Sequence, residues 1–235
     1  MNRKGLVPLL VWLVLTGCSH VKNDRSAVWL IPPLTEPVRV DGRLGESCYE
    51  RLVPVTDFKV ASRPGAKAPV TKAWLQWDER GLWFAFAAHD LTLVAAPPTR
   101  DEHAVDVQDR VELFLWPEGS RNYFCLEIAP DGAVHDYAAK VYRQFDDSWT
   151  PTGAVFAANR TADGYGVEGF IPIAALADLG LRPWRAGTRF HLGLYRADFR
   201  PGALDDPLWL TWVEPNLPQP DFHVRAAFAP VALAP

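Results

Sequence analysis

Hydrophobic and polar positions alternate along most of the chain. In Thr71-Lys72-Ala73-Trp74-Leu75-Gln76-Trp77, the side chains of Ala73, Leu75 and Trp77 fall on one face. Asp78-Glu79-Arg80-Gly81 then supplies a polar turn, and Leu82-Trp83-Phe84-Ala85-Phe86 returns with Leu82, Phe84 and Phe86 on the same side. Period two on both sides of such a turn predicts a β-hairpin. The same alternation predicts strands over residues 110–116, 123–129, 133–141, 154–159, 165–171, 189–198 and 208–212. Pro117-Glu118-Gly119-Ser120, Pro130-Asp131-Gly132 and Ala162-Asp163-Gly164 separate several of them with residues that pre-set or tolerate turn dihedrals. One short stretch, 173–179, ended by Gly180, predicts a helix. Short strands at this spacing, with no internal repeat and no interdomain linker, predict an all-β fold, an antiparallel β-sandwich.

The first 36 residues break the alternation. Arg3 and Lys4 precede an apolar run over residues 6–15, and small residues follow. That is the layout of a secretory signal, and the run is shorter than the roughly 20 residues needed to span hydrocarbon. Its end, Leu15-Thr16-Gly17-Cys18, resembles the bacterial lipoprotein box. The resemblance implies cleavage before Cys18, acylation of its thiol and anchorage in a lipid bilayer. Ser19 in the next position implies the outer membrane of a bacterial envelope. The expected division is therefore 1–17 signal peptide, 18–36 lipidated Cys and tether, and 37–235 a single sandwich domain.

Composition narrows the function. Ten Trp and twelve Phe among 235 residues supply enough apolar area for a packed core. With 24 Lys+Arg against 28 Asp+Glu and no basic cluster, nothing favours nucleic acid as a partner. Removing residues 1–17 shifts the net charge from −4 to −6 over 218 residues and takes away Met1, the one methionine, so the remainder has no thioether for a haem iron. No Gly-x-Ser-x-Gly elbow, His-Glu-x-x-His pair, P-loop or dinucleotide fingerprint occurs, and the histidines are scattered. Past Cys18 the cysteines are Cys48, in an expected loop, and Cys125, in mid-strand. They are either a disulfide or two separate buried thiols.

The order of motifs resembles the family 9 carbohydrate-binding modules. Val40-Asp41-Gly42-Arg43-Leu44-Gly45-Glu46 opens the match; Trp77-Asp78, Leu82-Trp83-Phe84-Ala85-Phe86 and Asp90 continue it. Asp109-Arg110-Val111-Glu112-Leu113-Phe114, the run 123–132, Gly164-Tyr165-Gly166-Val167-Glu168-Gly169-Phe170, Tyr195-Arg196 and Phe222-His223 complete it over residues 38–233. The resemblance implies a sandwich that binds a glycan without catalysis, stacking sugar faces on aromatic rings and hydrogen-bonding hydroxyls with charged side chains. Carried over, it implies Glu112, Glu127, Tyr195 or Arg196, and Phe222 as carbohydrate-binding residues; Trp149, whose other reading is core packing, is a further candidate ring. Where sugar-binding members place a Trp before the Asp-x-x-Glu motif, this chain has Val105-Asp106-Val107. Some members bind calcium, and Asp90, Asp101, Asp106 and Asp109 offer the hard oxygen ligands. The alternative is a structural or assembly lipoprotein that uses the same sandwich without a sugar.

Strand geometry adds a constraint of its own. Asp109 and Glu112, three apart, point to opposite faces, so they cannot flank a scissile bond as a glycosidase pair; Arg110 and Glu112 share a face as either an ion pair or a binding unit. Period two also sets Trp209 with Thr211, and Leu210 with Trp212.

Overall fold

The computed structural model describes residues 27–96 and 102–235. Cys18 and Asp101 lie outside the described residues. In chain order the strands are β1 (Trp29–Ile31), β2 (Lys59–Val60), β3 (Thr71–Asp78), β4 (Gly81–His89), β5 (Arg110–Pro117), β6 (Asn122–Ile128), β7 (Val134–Lys140), β8 (Gln144–Asp146), β9 (Val155–Thr161), β10 (Gly164–Pro172), β11 (Arg189–Asp198), β12 (Leu208–Thr211) and β13 (Ala229–Leu233). Two short helices, α1 (Ser47–Arg51) and α2 (Ile173–Asp178), accompany them. Among the described residues no helix is long and apolar enough to cross a membrane.

Two sheets face each other as a β-sandwich. The larger runs β1-β13-β11-β5-β6-β7-β8, with β12 and β2 attached beside β11; the smaller runs β3-β4-β10-β9. All pairings are antiparallel except β1 with β13. The alternation explains the layering. Leu75, Phe84, Phe86 and Val167 from the smaller sheet meet Val111, Leu113, Leu115, Leu126, Leu192 and Leu194 from the larger in one buried core.

The long alternating strands form within a residue or two of the positions expected, and α2 stops at Gly180, whose φ of 91° falls in the left-handed region. Four features differ. Cys48 lies in α1, not a loop, and is a free buried thiol, as is Cys125. Strand β1 lies inside the stretch read as a tether, so the sheet begins before residue 37. Strands β2 and β8 have two and three residues, too few for an alternation to show. Strand β13 carries Pro230 among alanines, a composition of low strand propensity held in place by its two neighbours.

Arg196 has a structural place. It sits on the core face of β11, fully buried, at one end of the sandwich. Its Nη2 donates to Asp90 Oδ2 at 3.0 Å and Asp198 Oδ2 at 2.8 Å, while Nη1 donates to Thr71 Oγ1 and the His89 carbonyl. The guanidinium thus ties β11 of one sheet to β3 and β4 of the other. Asp109 closes the cluster, its Oδ1 accepting from Phe199 N at 2.6 Å and its Oδ2 from Val94 N at 2.5 Å. Burial raises the Asp109 carboxyl to about 7, against the lowering effect of those two donors. These acids do not fit a calcium ion. The cationic position between Asp90 and Asp198 is taken by Arg196, and both Asp109 oxygens are committed to backbone amides.

The opening motif has a structural role as well. Buried Glu168 on β10 accepts from Asp41 N at 2.9 Å and Gly42 N at 2.8 Å through one oxygen, and from the Tyr49 hydroxyl at 2.8 Å through the other. Gly42, at φ 79°, would place a Cβ 2.5 Å from the Ala158 carbonyl carbon, so only glycine fits beneath this turn.

Candidate binding site

The outer face of the larger sheet carries a second buried cluster, of aromatic character: Phe114, Trp116, Tyr123, Tyr137, Tyr195, Phe222 and Phe228. Segment 214–228 folds over this face and brings Phe222, Ala227 and Phe228 onto it. Sheet register aligns one row of side chains across four strands: Tyr195 pairs with Glu112, Glu112 with Glu127, and Glu127 with His135. Beyond the cover of segment 214–228 the row opens into a pocket of about 290 Å³. That is close to the lower end of ligand pockets, roughly 300–1,000 Å³.

Charged groups make its floor. Arg110 Nε lies 3.0 Å from Glu112 Oε1 and 2.5 Å from Glu127 Oε2, and the Tyr137 hydroxyl donates to Glu127 Oε1 at 2.7 Å. The two ion-pair contacts lack hydrogen-bond alignment, leaving those carboxylate oxygens without an aligned donor among the described residues. All three side chains are buried. Burial and the neighbouring Glu127 raise the Glu112 carboxyl, against the pull of Arg110. Arg110 is held further up its already high range by Glu127 and Glu112. One guanidinium therefore serves two carboxyl groups, of which the raised Glu112 favours its protonated form.

Aromatic rings make the walls. Phe222 meets Trp209 edge to face at 5.9 Å, and Trp209 lies under the Arg110 guanidinium at 5.3 Å. Opposite them stand Phe145, 47% exposed, and His223, their rings 5.0 Å apart. Arg143, at φ 56° in the tip between β7 and β8, pairs with Asp221 across the rim at 3.2 Å. Burial, with Arg143 adding to it, lowers His223 to about 4, so it is a neutral imidazole at pH 7, with Nδ1 3.0 Å from the Tyr123 hydroxyl.

Of the residues singled out in the sequence, Glu112, Glu127 and Phe222 come together here. Tyr195 does not reach the cavity: it is fully buried beneath Phe222 and donates to the Ala227 carbonyl at 2.9 Å. Arg196 is on the other face of the sheet, in the clasp described above. Trp149 packs on Phe124 at 5.0 Å against the core between the sheets, away from the pocket. Asp106 lies at the pocket rim, separate from Asp90 and Asp109.

Trp209, Tyr137, His103, His135, Arg143, Phe145, Asp147 and Asp221 were not anticipated as site residues. Only His135 had a readable signal, since the turn centred on Asp131 sets its pairing with Glu127. A larger cleft of about 1140 Å³ runs past Trp29, Arg63, His191, Trp212 and Arg225.

Neither protein-family models nor curated proteins match the sequence. Solved structures do resemble the fold. A "putative carbohydrate-binding protein" from Bacteroides uniformis aligns over 88% of this chain and 98% of its own, at 16% identity and a TM-score of 0.65. A family 9 carbohydrate-binding module from Caldicellulosiruptor kristjanssonii, solved with cellotriose, aligns over 88% and 94%, at 15% identity and a TM-score of 0.60. A structure of a family 9 module from that organism with glucose covers 86% and 94%, at 15% identity and a TM-score of 0.57. At such identities the likeness establishes the fold, and the fold is the antiparallel β-sandwich of the family 9 carbohydrate-binding modules.

Proposed function

We propose that this chain is a lipid-anchored envelope protein whose sandwich binds a glycan non-catalytically in the Arg110–Glu112–Glu127 pocket. The observation that carries the reading is the convergence, in one cavity of about 290 Å³, of a charged floor with unaligned acceptor oxygens and walls formed by Phe222, Trp209 and Phe145. Sugar recognition combines apolar ring faces with hydroxyl donors, and this arrangement meets both requirements. The size fits a monosaccharide unit or a chain end better than the middle of a long polymer. The fold-level neighbours solved with cellotriose and glucose support a sugar as the ligand class. The Arg110 guanidinium stands between the Glu112 and Glu127 carboxyl groups, and this occupied midpoint supports a binding role for the pair.

Calorimetry and glycan-array binding on the detergent-solubilised chain test the proposal. Saturable binding of one glycan class, weakened in Phe222→Ala, supports it; silence across plant, storage and envelope glycans points to the assembly role. Anchoring through Cys18 is tested separately by membrane fractionation of Cys18→Ser, which should move the protein to the soluble fraction.

A further inference from the structure

At the rim of the pocket two histidines far apart in sequence come together, His103 from the 3₁₀ turn Glu102–Val107 and His135 from β7, with ring centroids 4.6 Å apart. One carboxylate orients both. Asp106 Oδ1 lies 2.8 Å from His135 Nδ1, and Asp106 Oδ2 lies 3.2 Å from His103 Nδ1. The opposite nitrogens then face a second carboxylate: His103 Nε2 is 3.5 Å from Asp147 Oδ2, and His135 Nε2 is 3.7 Å from Asp147 Oδ1. We propose that His103, His135 and Asp147 form a binding site for a divalent transition-metal ion of the zinc type.

The geometry suits such an ion. Each of the three residues offers a ligand atom, and these atoms lie within 4.8 Å of one another. Around zinc, ligand atoms about 2.0–2.2 Å from the metal stand roughly 3.3–3.6 Å from each other in a tetrahedron, close to the nitrogen-to-oxygen separations already present. His135 is only 5% exposed, yet its Nε2 has no hydrogen-bond partner among the described residues. A buried imidazole nitrogen aimed at a second histidine and a carboxylate is an unmet coordination position. Asp106 supplies what metal-bound histidines usually have, a carboxylate on the other ring nitrogen that fixes the tautomer. The field also favours a cation, since Asp106, Glu127, Asp147 and Asp221 line this pocket against Arg110 and Arg143. Two imidazole nitrogens select zinc, cobalt or nickel over calcium, which prefers oxygen. All three residues line the cavity. The site stands independently of the sugar reading.

The test is titration of the full, solubilised chain with Co²⁺, followed by displacement with Zn²⁺ and equilibrium dialysis for stoichiometry. The expected result is one ion per chain, the visible absorption of four-coordinate cobalt, and no competition from Ca²⁺. His103→Ala and Asp147→Asn, both at exposed side chains, should each weaken uptake at least tenfold, while His191→Ala leaves it unchanged. Circular dichroism checks that the variants are folded. Absence of stoichiometric uptake, or uptake unaltered in the His103→Ala/Asp147→Asn double variant, overturns the proposal and leaves the cluster as an imidazole–carboxylate network.

Discussion

The ring of Tyr195 lies flat against that of Phe222, with centroids 4.1 Å apart and planes 6° from parallel. Strand β11 therefore supplies the support for the wall, and the late segment supplies the wall itself. Phe222 is itself buried, lines the pocket, and is backed on one face by Tyr195.

This stacking separates two substitutions that look equivalent in sequence. Phe222→Ala should reduce glycan affinity about fivefold to tenfold, since an aromatic face contributes on the order of 1 kcal/mol to stacking. Tyr195→Phe keeps the ring and loses only the hydroxyl, which donates to the Ala227 carbonyl at 2.9 Å and lies 3.5 Å from the Phe222 carbonyl. It should cost about 1 kcal/mol of stability with affinity unchanged, as read by urea unfolding and calorimetry on the same preparations. Equal loss of affinity in both would place Tyr195 in contact with the ligand.

The floor makes an asymmetric prediction. Arg110→Leu removes the cation between two buried carboxylates and should destabilise by about 3–5 kcal/mol. Glu112→Gln should be far milder, because burial and Glu127 already raise that carboxyl and favour its protonated form. A group whose folded pKa is raised loses stability as pH rises from the ordinary carboxylate range through the folded value. Glu112→Gln should therefore flatten the fall in stability between about pH 4.5 and pH 8 in a stability-versus-pH curve measured by chemical denaturation. An unaltered curve would show that Glu112 titrates normally.

How much of this was legible in the sequence depends on which interaction places each residue. The resemblance to the family 9 modules singled out Glu112, Glu127 and Phe222 by motif order, and the structure brings these three to one pocket. His135 opposite Glu127 was readable in principle from the Pro130-Asp131-Gly132 turn, because a hairpin's register follows from its turn. The meeting of His103 with His135 was not, since it depends on how a 3₁₀ turn docks on a strand edge. Arg196 misled for a related reason. Tyr195 and Arg196 are adjacent, so one must face the core, and a charge belongs there only when partners such as Asp90 arrive from the other sheet. Local sequence does not contain that partner.

Arg196 gives the matching test of that correction. Arg196→Leu strips the cation from Asp90 and Asp198 and breaks the tie between the sheets, so it should destabilise the domain by about 3–5 kcal/mol. Under conditions where the variant remains folded, its glycan affinity should match the parent's, because the clasp and the pocket lie on opposite faces of the larger sheet. Thermal unfolding with calorimetry at low temperature checks both halves, and an affinity loss without destabilisation would return Arg196 to the site.

His223 sets an acid limb. Its imidazole is lowered from 6.5 to about 4 by burial first and by Arg143 next. The unfolded chain takes up a proton below about pH 6.5 while the folded chain refuses it until about pH 4, so stability is lost as pH falls through that window. The full effect is on the order of 3 kcal/mol. Asp109 works in the opposite sense, because its raised carboxyl makes the folded state the better proton acceptor between about pH 4 and 7. The informative quantity is therefore the difference between the parent and His223→Leu at each pH. That substitution gives up the contact with the Tyr123 hydroxyl at every pH, a roughly constant cost, but it carries no proton. Urea unfolding should show the parent's advantage at pH 7 shrinking by about 2–3 kcal/mol by pH 4. A gap that stays constant over this range would mean that His223 is protonated in the folded protein as readily as in the unfolded chain, and that the pocket wall is wetter than its packing against Phe145 and Tyr123 implies.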